Sequence, residues 1–175
     1  MDLAEFVKCY NSYIGEDCFG RLYGGACEDE ESGKLTFNVG KISYANGDMH
    51  VVAGIRYPIS KKYDDMAETL NVLAAKMNMN LDIADYLAPI YFRRDDEVVV
   101  ELEDAYRKVT GDIDNKPFCV GAASYARCLD NTVAFGPIFP GQEEMSHQPN
   151  EFISIEDLKK TTDIYIEALL NLLNK

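Results

Sequence analysis

The chain has 175 residues, of which 47% are hydrophobic and 27% are charged. This length suits one ordinary domain or two small ones, and the composition is not that of a disordered chain. The net charge of −13 disfavours nucleic acid and anionic lipid as partners, because both carry negative charge. The sequence has no run of about 18 apolar residues and no signal-peptide pattern at its start. We therefore expect a cytoplasmic protein without a membrane segment.

A first helix is predicted near the start of the chain, ended by Gly15. Its apolar residues recur at helical spacing: Leu3, Phe6, Val7, Tyr10 and Ile14. A glycine-rich, acidic stretch from Gly20 to Gly33 follows, and the pairs Gly24-Gly25 and Ser32-Gly33 indicate turns.

The clearest strand signal begins at Leu35, where apolar and polar residues alternate as far as Val39. Gly40 shifts the phase, after which Ile42 and Tyr44 continue the alternation. Asn46-Gly47 then predicts a two-residue hairpin turn, because both central positions of a type I′ turn need positive φ. The return strand is predicted from Asp48 to Tyr57. His50 and Arg56 fall on its even-numbered face, opposite the more apolar odd-numbered face.

After this hairpin, helical spacing predicts a helix from Asp64 to Lys76, and a short strand is predicted from Leu81 to Tyr91. The predicted order is α-β-β-α-β, which is a split β-α-β pattern without its first strand. Such a sheet has an unpaired edge.

The second half begins with a predicted helix from about Asp95, stopped by Gly111. Short strands are predicted at Phe118–Val120 and Thr132–Phe135. Ser154 is predicted to cap a final helix, with Asp157 at the capping-box position. The final helix carries an apolar stripe that we expect to be packed: Ile155, Leu158, Thr162, Tyr165, Leu169 and Leu172.

Few residues offer obvious catalytic chemistry. The five cysteines form no C-x-x-C pair, so reduced thiols without a metal role are expected. The histidines are His50, interpreted as a surface strand residue, and His147, in an acidic, turn-rich loop. His147 could ligate a metal, but catalytic zinc needs about three protein ligands, and a solvated loop histidine is the plainer interpretation.

Two other features suggest recognition of an anion. Arg56, at the end of a strand, could bind a carboxylate bidentately, or could form an ordinary surface salt bridge. The run from Gly121 to Arg127 could present backbone N–H groups to an anion, or could reflect close packing of small residues. The acidic runs Asp29-Glu30-Glu31, Asp95-Asp96 and Glu143-Glu144 are interpreted as exposed charge runs, none of which has an evident partner that would set up acid and base roles.

Two long blocks resemble the M20 metallopeptidase family, in particular its Xaa-His dipeptidase, PepV-like branch. The first block, DEESGKLTFNVGKISYANGDMHVVAGIRYP, looks like the lid domain of that branch. The second, GAASYARCLDNTVAFGPIFPGQEEMSHQPNEFISIEDLKKTTDIYIEALLNL, resembles the C-terminal segment of the family. Similarity covers nearly the whole chain.

The resemblance implies an α/β (α+β) fold in two parts. Residues 1–93 would be a partial ferredoxin-like lid, of a type that mediates dimer contacts. Residues 94–175 would be the C-terminal part of an α/β metallopeptidase catalytic domain. It also implies zinc as the cofactor, with two ions in the full-length family, and a dipeptide or short peptide as the substrate.

Roles for individual residues follow from the resemblance, position by position. His147 matches a zinc ligand, and Asn150 and Glu151 would hold His147 in position without binding the metal themselves. Arg56 matches the lid arginine that contacts substrate. Gly121, Ser124 and Arg127 belong to a loop that lines the substrate pocket, although this chain has Ala122, Ala123 and Ser124 where the family usually has glycine and threonine.

The other family motifs have no counterpart in these residues. The missing motifs are a histidine and bridging aspartate, a glutamate pair, a further aspartate ligand and a lid histidine. We therefore expect no catalytic residue in this chain, weak or absent zinc binding, and no activity for the chain alone. Two alternatives stay open: a non-catalytic module that self-associates through its open sheet edge, or one half of a split enzyme.

Overall fold

A computed structural model describes residues 2–136 and 138–173. Its elements are, in chain order, helix α1 (Leu3–Tyr13), strands β1 (Glu28–Asp29), β2 (Gly33–Lys34), β3 (Thr36–Ala45) and β4 (Asp48–Arg56), helices α2 (Tyr63–Lys76) and α3 (Glu97–Thr110), a short 3₁₀ helix (Tyr125–Cys128), and helix α4 (Ile155–Leu173). Helices and small antiparallel sheets are therefore mixed, which confirms the predicted α+β class.

Contacts divide the chain into two compact units. The first, here called the hairpin unit, runs to Pro89 and includes Cys119–Gly121. The second, the helical unit, contains Ile90–Phe118 and the residues from Ala122 onward. This division follows contacts alone, so the assignment of residues 1–93 to a lid and 94–175 to a catalytic domain stays a prediction.

Strands β3 and β4 form the hairpin that the sequence predicted. Asn46 (φ 55°) and Gly47 (φ 90°) both adopt the positive φ that the tight turn requires. The register shifts between Val39 and Lys41, so Gly40 is the extra residue of a β-bulge. The bulge keeps the apolar residues on both sides of it on one face, which confirms the predicted change of phase.

The core of the hairpin unit lies between this sheet face and the helices. Its buried residues come from α1, the loop after it, the start of β3 and α2, together with the residues that flank these elements: Phe6, Ile14, Tyr23, Leu35, Phe37, Met66, Leu73 and Met77. The Tyr23 ring occupies the space beside Gly25, where an added Cβ would lie 2.1 Å from Tyr23 Cε2. Helix α1 begins at its cap Asp2, whose carboxylate accepts a hydrogen bond from Glu5 N at 2.8 Å.

The strand predicted from Leu81 to Tyr91 does not form. The described residues between α2 and α3 have no regular structure, and Leu87 is 55% exposed. A strand needs a neighbouring strand to satisfy its backbone, and β3 and β4 pair only with each other in the described residues. The short strands predicted at Phe118–Val120 and Thr132–Phe135 are also wrong for this reason; Phe118 is 81% exposed.

In the helical unit, α3 and α4 pack together. Ala105 of α3 and Ile164 and Ala168 of α4 are buried, and Asn171 Nδ2 donates to the carbonyl of Glu101 at 3.2 Å. Gly111 (φ 73°) ends α3, as predicted. Of the helices that the described ranges contain, none is long and apolar enough to cross a membrane.

Candidate functional site

Arg56 is the last residue of β4 and pairs with Thr36 of β3. Its side chain is exposed, on the sheet face opposite the core, where His50 also lies. Across residues 2–136 and 138–173, Arg56 forms no ion pair within 4.0 Å. The surface salt bridge that the sequence left open is therefore not formed there, and the guanidinium is available to an external carboxylate.

The loop that follows Arg56 is fixed by Asp29. The Asp29 carboxylate accepts hydrogen bonds from the Ser32 amide at 2.6 Å and hydroxyl at 2.8 Å, and from the Ser60 amide at 3.1 Å. The Ser32 hydroxyl also accepts from Ile59 N at 2.9 Å. The amide and hydroxyl of Ser32 hold the pKa of Asp29 well below its usual range. Asp29 was interpreted as part of an exposed charge run, which is wrong because Asp29 is half-buried and bound to Ser32 and Ser60. Its Asp-x-x-Ser spacing was the signal that could have shown this role.

Gly121 lies against the side chain of Arg56. A Cβ placed on Gly121 would lie 3.0 Å from Arg56 Cδ, and both residues belong to the hairpin unit. Two candidate substrate-binding residues that are far apart in sequence are therefore neighbours in space.

Ser124 and Arg127 belong to the helical unit. The Ser124 hydroxyl accepts a hydrogen bond from Ala126 N at 3.3 Å and so caps the 3₁₀ helix Tyr125–Cys128. Arg127 lies within that short helix and is partly buried, and its amide donates to the Ser124 carbonyl at 3.2 Å. This local structure was not predicted from the small residues at its start.

His147 lies in an exposed loop before α4 and has a φ of 63°, which is uncommon for a residue with a side chain. Its backbone N–H donates to Glu151 Oε2 at 3.2 Å. Asn150 also has a positive φ, of 64°. Glu151 thus holds the backbone of His147, whereas the resemblance implied support of its imidazole.

Glu144 is a second carboxylate that shapes this loop. It accepts a hydrogen bond from Ser146 N at 2.9 Å, and its backbone carbonyl accepts from Gln148 Nε2 at 3.1 Å. The hydrogen bond from Ser146 lowers the pKa of Glu144, with a smaller contribution from the nearby His147. Glu143 and Glu144 are both exposed, as predicted, and Glu144 has a structural partner in the Ser146 amide.

The same loop is tied to the beginning of α4. The Ser154 hydroxyl accepts from Asp157 N at 3.0 Å and donates to Asp157 Oδ2 at 2.6 Å, which confirms the predicted cap. Gln142 Nε2 donates to Asp157 Oδ2 at 2.9 Å. Both ends of the segment that carries His147 are thereby fixed to the helix.

These residues do not fit a metal site on their own. Among the residues that the structure describes, no three histidine, cysteine, aspartate or glutamate side chains lie close enough together to hold a metal ion. Zinc in proteins is held by about three or four such ligands. His147 could therefore supply one ligand at most, with the others coming from elsewhere. All five cysteines are free thiols.

Comparison with known proteins identifies the family. The sequence model of "Peptidase family M20/M25/M40" matches residues 18–171. A "Putative dipeptidase" from Staphylococcus epidermidis is 34% identical over 166 residues, covering 94% of this chain and 35% of that protein. Similarly named proteins from Staphylococcus saprophyticus and Staphylococcus aureus strain MW2 are 34% and 31% identical, over 97% and 95% of this chain.

The chain spans about a third of the length of these curated relatives, between 35% and 36% of each. The family match itself covers most of the chain, from within the loop after α1 to the last turns of α4. The chain therefore belongs to the M20/M25/M40 family of peptidases.

Proposed function

We propose that this chain supplies substrate-carboxylate recognition and one metal ligand to a zinc-dependent dipeptidase. The observation that carries this proposal is the exposed guanidinium of Arg56, which forms no ion pair with the described residues and lies at a strand end beside Gly121, in a chain of the M20 family. A planar guanidinium pairs with a carboxylate through two parallel hydrogen bonds. Every dipeptide with a free C-terminus offers such a group.

The metal-binding part of the proposal rests on His147. When bound, zinc would supply activation of water and polarisation of the peptide carbonyl. His147 is exposed on a loop whose two ends are hydrogen-bonded to Asp157, so its imidazole can serve as one ligand while those bonds are kept. Ser124 and Arg127, on the loop after Gly121, would line the substrate pocket, and Asn150 and Glu151 would hold the His147 loop in shape.

The chain by itself should be inactive, because its described residues bring together no set of three ligands. The test is hydrolysis of Xaa-His dipeptides by the purified chain with added zinc, measured as release of free histidine. We expect no release above the blank. Zinc-dependent turnover that a chelator abolishes would overturn this part of the proposal.

The assignment of His147 has its own test, because the chain offers a matched control in His50. Both imidazoles are exposed, and zinc added to the protein should perturb the NMR signals of His147 at lower concentration. Binding should be weak compared with a site that has a full ligand set. His147→Ala should remove the stronger response and His50→Ala should leave it; the reverse pattern would exclude His147.

The open hairpin edges favour a second candidate, a non-catalytic module that associates with another copy. In the described residues β3 and β4 form a two-stranded sheet without a third strand, and unpaired strand edges can bind another strand. Light scattering across a range of protein concentrations tests this. A monomer mass throughout would exclude it, whereas a dimer lost on introducing proline into an edge strand would favour it.

A split enzyme is a third hypothesis for this chain. Here a separate polypeptide would supply the remaining ligands. Co-purification of the chain with such a polypeptide, together with zinc-dependent dipeptide hydrolysis by the pair alone, would favour the split enzyme over the module.

A further inference from the structure

The backbone at Gly121 gives no reason for a glycine. Glycine is required mainly where φ is positive, and the positive-φ glycines of the described chain are Gly15, Gly20, Gly24, Gly33, Gly47, Gly111 and Gly141. Gly121 is not among them, so its φ does not require a glycine. The space beside Gly121 offers a different reason for a glycine.

The neighbour is Arg56. A Cβ on Gly121 would lie 3.0 Å from Arg56 Cδ and 3.8 Å from Arg56 Nε, with no other atom within 4 Å. A separation of 3.0 Å between two carbons is well inside their optimal contact distance of about 3.5–4.0 Å. By contrast, a Cβ on Gly54, which lies two residues before Arg56 on β4, would meet nothing within 4 Å.

The contact with Gly121 bears on the orientation of the Arg56 guanidinium. Cδ and Nε are the atoms through which the guanidinium plane is oriented, and recognition of a carboxylate by two parallel hydrogen bonds depends on that orientation. A methyl group at position 121 would require Cδ to move by about a few tenths of an ångström, and such a shift changes the direction of the guanidinium. A side chain displaced from its rotamer in this way loses part of its pre-organisation.

We propose that Gly121 is a positioning residue for Arg56: its missing side chain leaves the space in which the arginine lies, and so sets the orientation of the guanidinium toward a substrate carboxylate. The claim that Gly121 leaves space for Arg56 rests on geometry alone. The claim that this orients Arg56 toward a substrate carboxylate rests on the proposed function. Gly121 acts through Arg56 and need not contact the substrate.

The test follows the Nε–H signal of Arg56 by NMR in the full chain, with Arg56→Lys used to assign that signal. The probes are glycyl-histidine and its C-terminal amide, without metal. In the wild type the dipeptide should shift the Arg56 signal and the amide should not. Gly121→Ala should displace the signal before any ligand is added and weaken dipeptide binding about three- to tenfold, the size expected for an off-rotamer side chain. Gly54→Ala should change neither.

A double-mutant cycle of unfolding free energies distinguishes a clash with Arg56 from general misfolding of Gly121→Ala. If the added methyl group clashes with Arg56, its destabilisation should largely disappear in the Arg56→Ala background, because the clashing atoms are gone. Equal destabilisation in both backgrounds would overturn the proposal. So would an unmoved Arg56 signal with unchanged dipeptide affinity in Gly121→Ala.

Failure of the proposed function would give a different result. The dipeptide would then leave the wild-type Arg56 signal unmoved, which contradicts carboxylate recognition. In that event the ligand-free signal of Gly121→Ala decides the positioning claim: a displaced signal supports it, and an unchanged signal overturns it.

Discussion

The two units of the molecule are stabilised differently. The hairpin unit has a continuous core in which a sheet face, two helices and the loop around Tyr23 contribute large buried side chains. In the helical unit the buried apolar residues of the described chain are Ala105, Ala126, Ile164 and Ala168. Ile164 is the only one of these larger than alanine.

Helix α4 shows this difference in packing between the two units, because one of its apolar faces is exposed. The predicted apolar stripe was expected to be packed, yet its large residues are exposed: Ile155 by 74%, Leu158 by 53%, Tyr165 by 42%, Leu169 by 57% and Leu172 by 40%. The residues that are buried in α4, Ile164 and Ala168, lie beside that stripe. A helix with apolar residues on more than one side is usually buried on more than one side. The hairpin unit therefore covers its own apolar side chains, whereas the described residues of the helical unit leave many apolar side chains of α4 exposed.

The largest expected effect contrasts two leucines. Leu35 in the hairpin unit is fully buried, so Leu35→Ala should lower the free energy of unfolding by about 2–5 kcal/mol through lost burial and the cavity left behind. The matched control Leu169→Ala, at an exposed position of α4, should change it by less than about 0.5 kcal/mol. Urea denaturation measures both. Similar losses would show that α4 is covered in solution and would remove the contrast.

A smaller effect is expected at the helix caps. Ser154→Ala removes the cap of α4 and should cost about 1 kcal/mol. It should also raise hydrogen exchange across the His147 loop, because Ser154 and Gln142 share Asp157 as a partner. Asp2→Ala removes the cap of α1 and should increase exchange only in the first turn of that helix. Unchanged exchange around His147 would mean that the cap does not hold the loop.

The smallest effect is a dependence on pH in the helical unit. The Tyr106 hydroxyl, 2.8 Å away, and the amide and side chain of Asn115 lower the pKa of Asp112 to about 2. A depressed pKa means that the charged form is favoured by folding, so this stabilisation is present above the unfolded pKa and is lost as pH falls. The loss should occur between about pH 4, the usual aspartate value, and the folded pKa.

Denaturation of wild type and Asp112→Asn across this range measures the loss. The wild type should lose more stability on acidification than the variant, and Asp114→Asn should behave like the wild type. Parallel pH curves for wild type and Asp112→Asn would contradict the role given to the Tyr106 hydrogen bond.

Local sequence signals predicted much of the fold. The hairpin turn at Asn46-Gly47, the phase shift at Gly40 and the four long helices all formed as predicted. Each depends on backbone preferences or side-chain spacing within a few residues of the chain. The family followed from recognised blocks, whereas the candidate site residues were identified by that resemblance and stay proposals.

Three features were decided by tertiary structure alone. Short apolar runs such as Phe118–Val120 did not become strands, because that outcome needs a partner strand that local sequence cannot supply. Periodicity could not tell which side of α4 is packed, because apolar residues occur on more than one side. The contact between Gly121 and Arg56 joins residues far apart in the chain. The sequence by itself thus determined the hairpin turn, the helices and the family of this protein. Only the tertiary structure decided which helix and strand surfaces pack together, because burial depends on contacts between residues far apart in the chain.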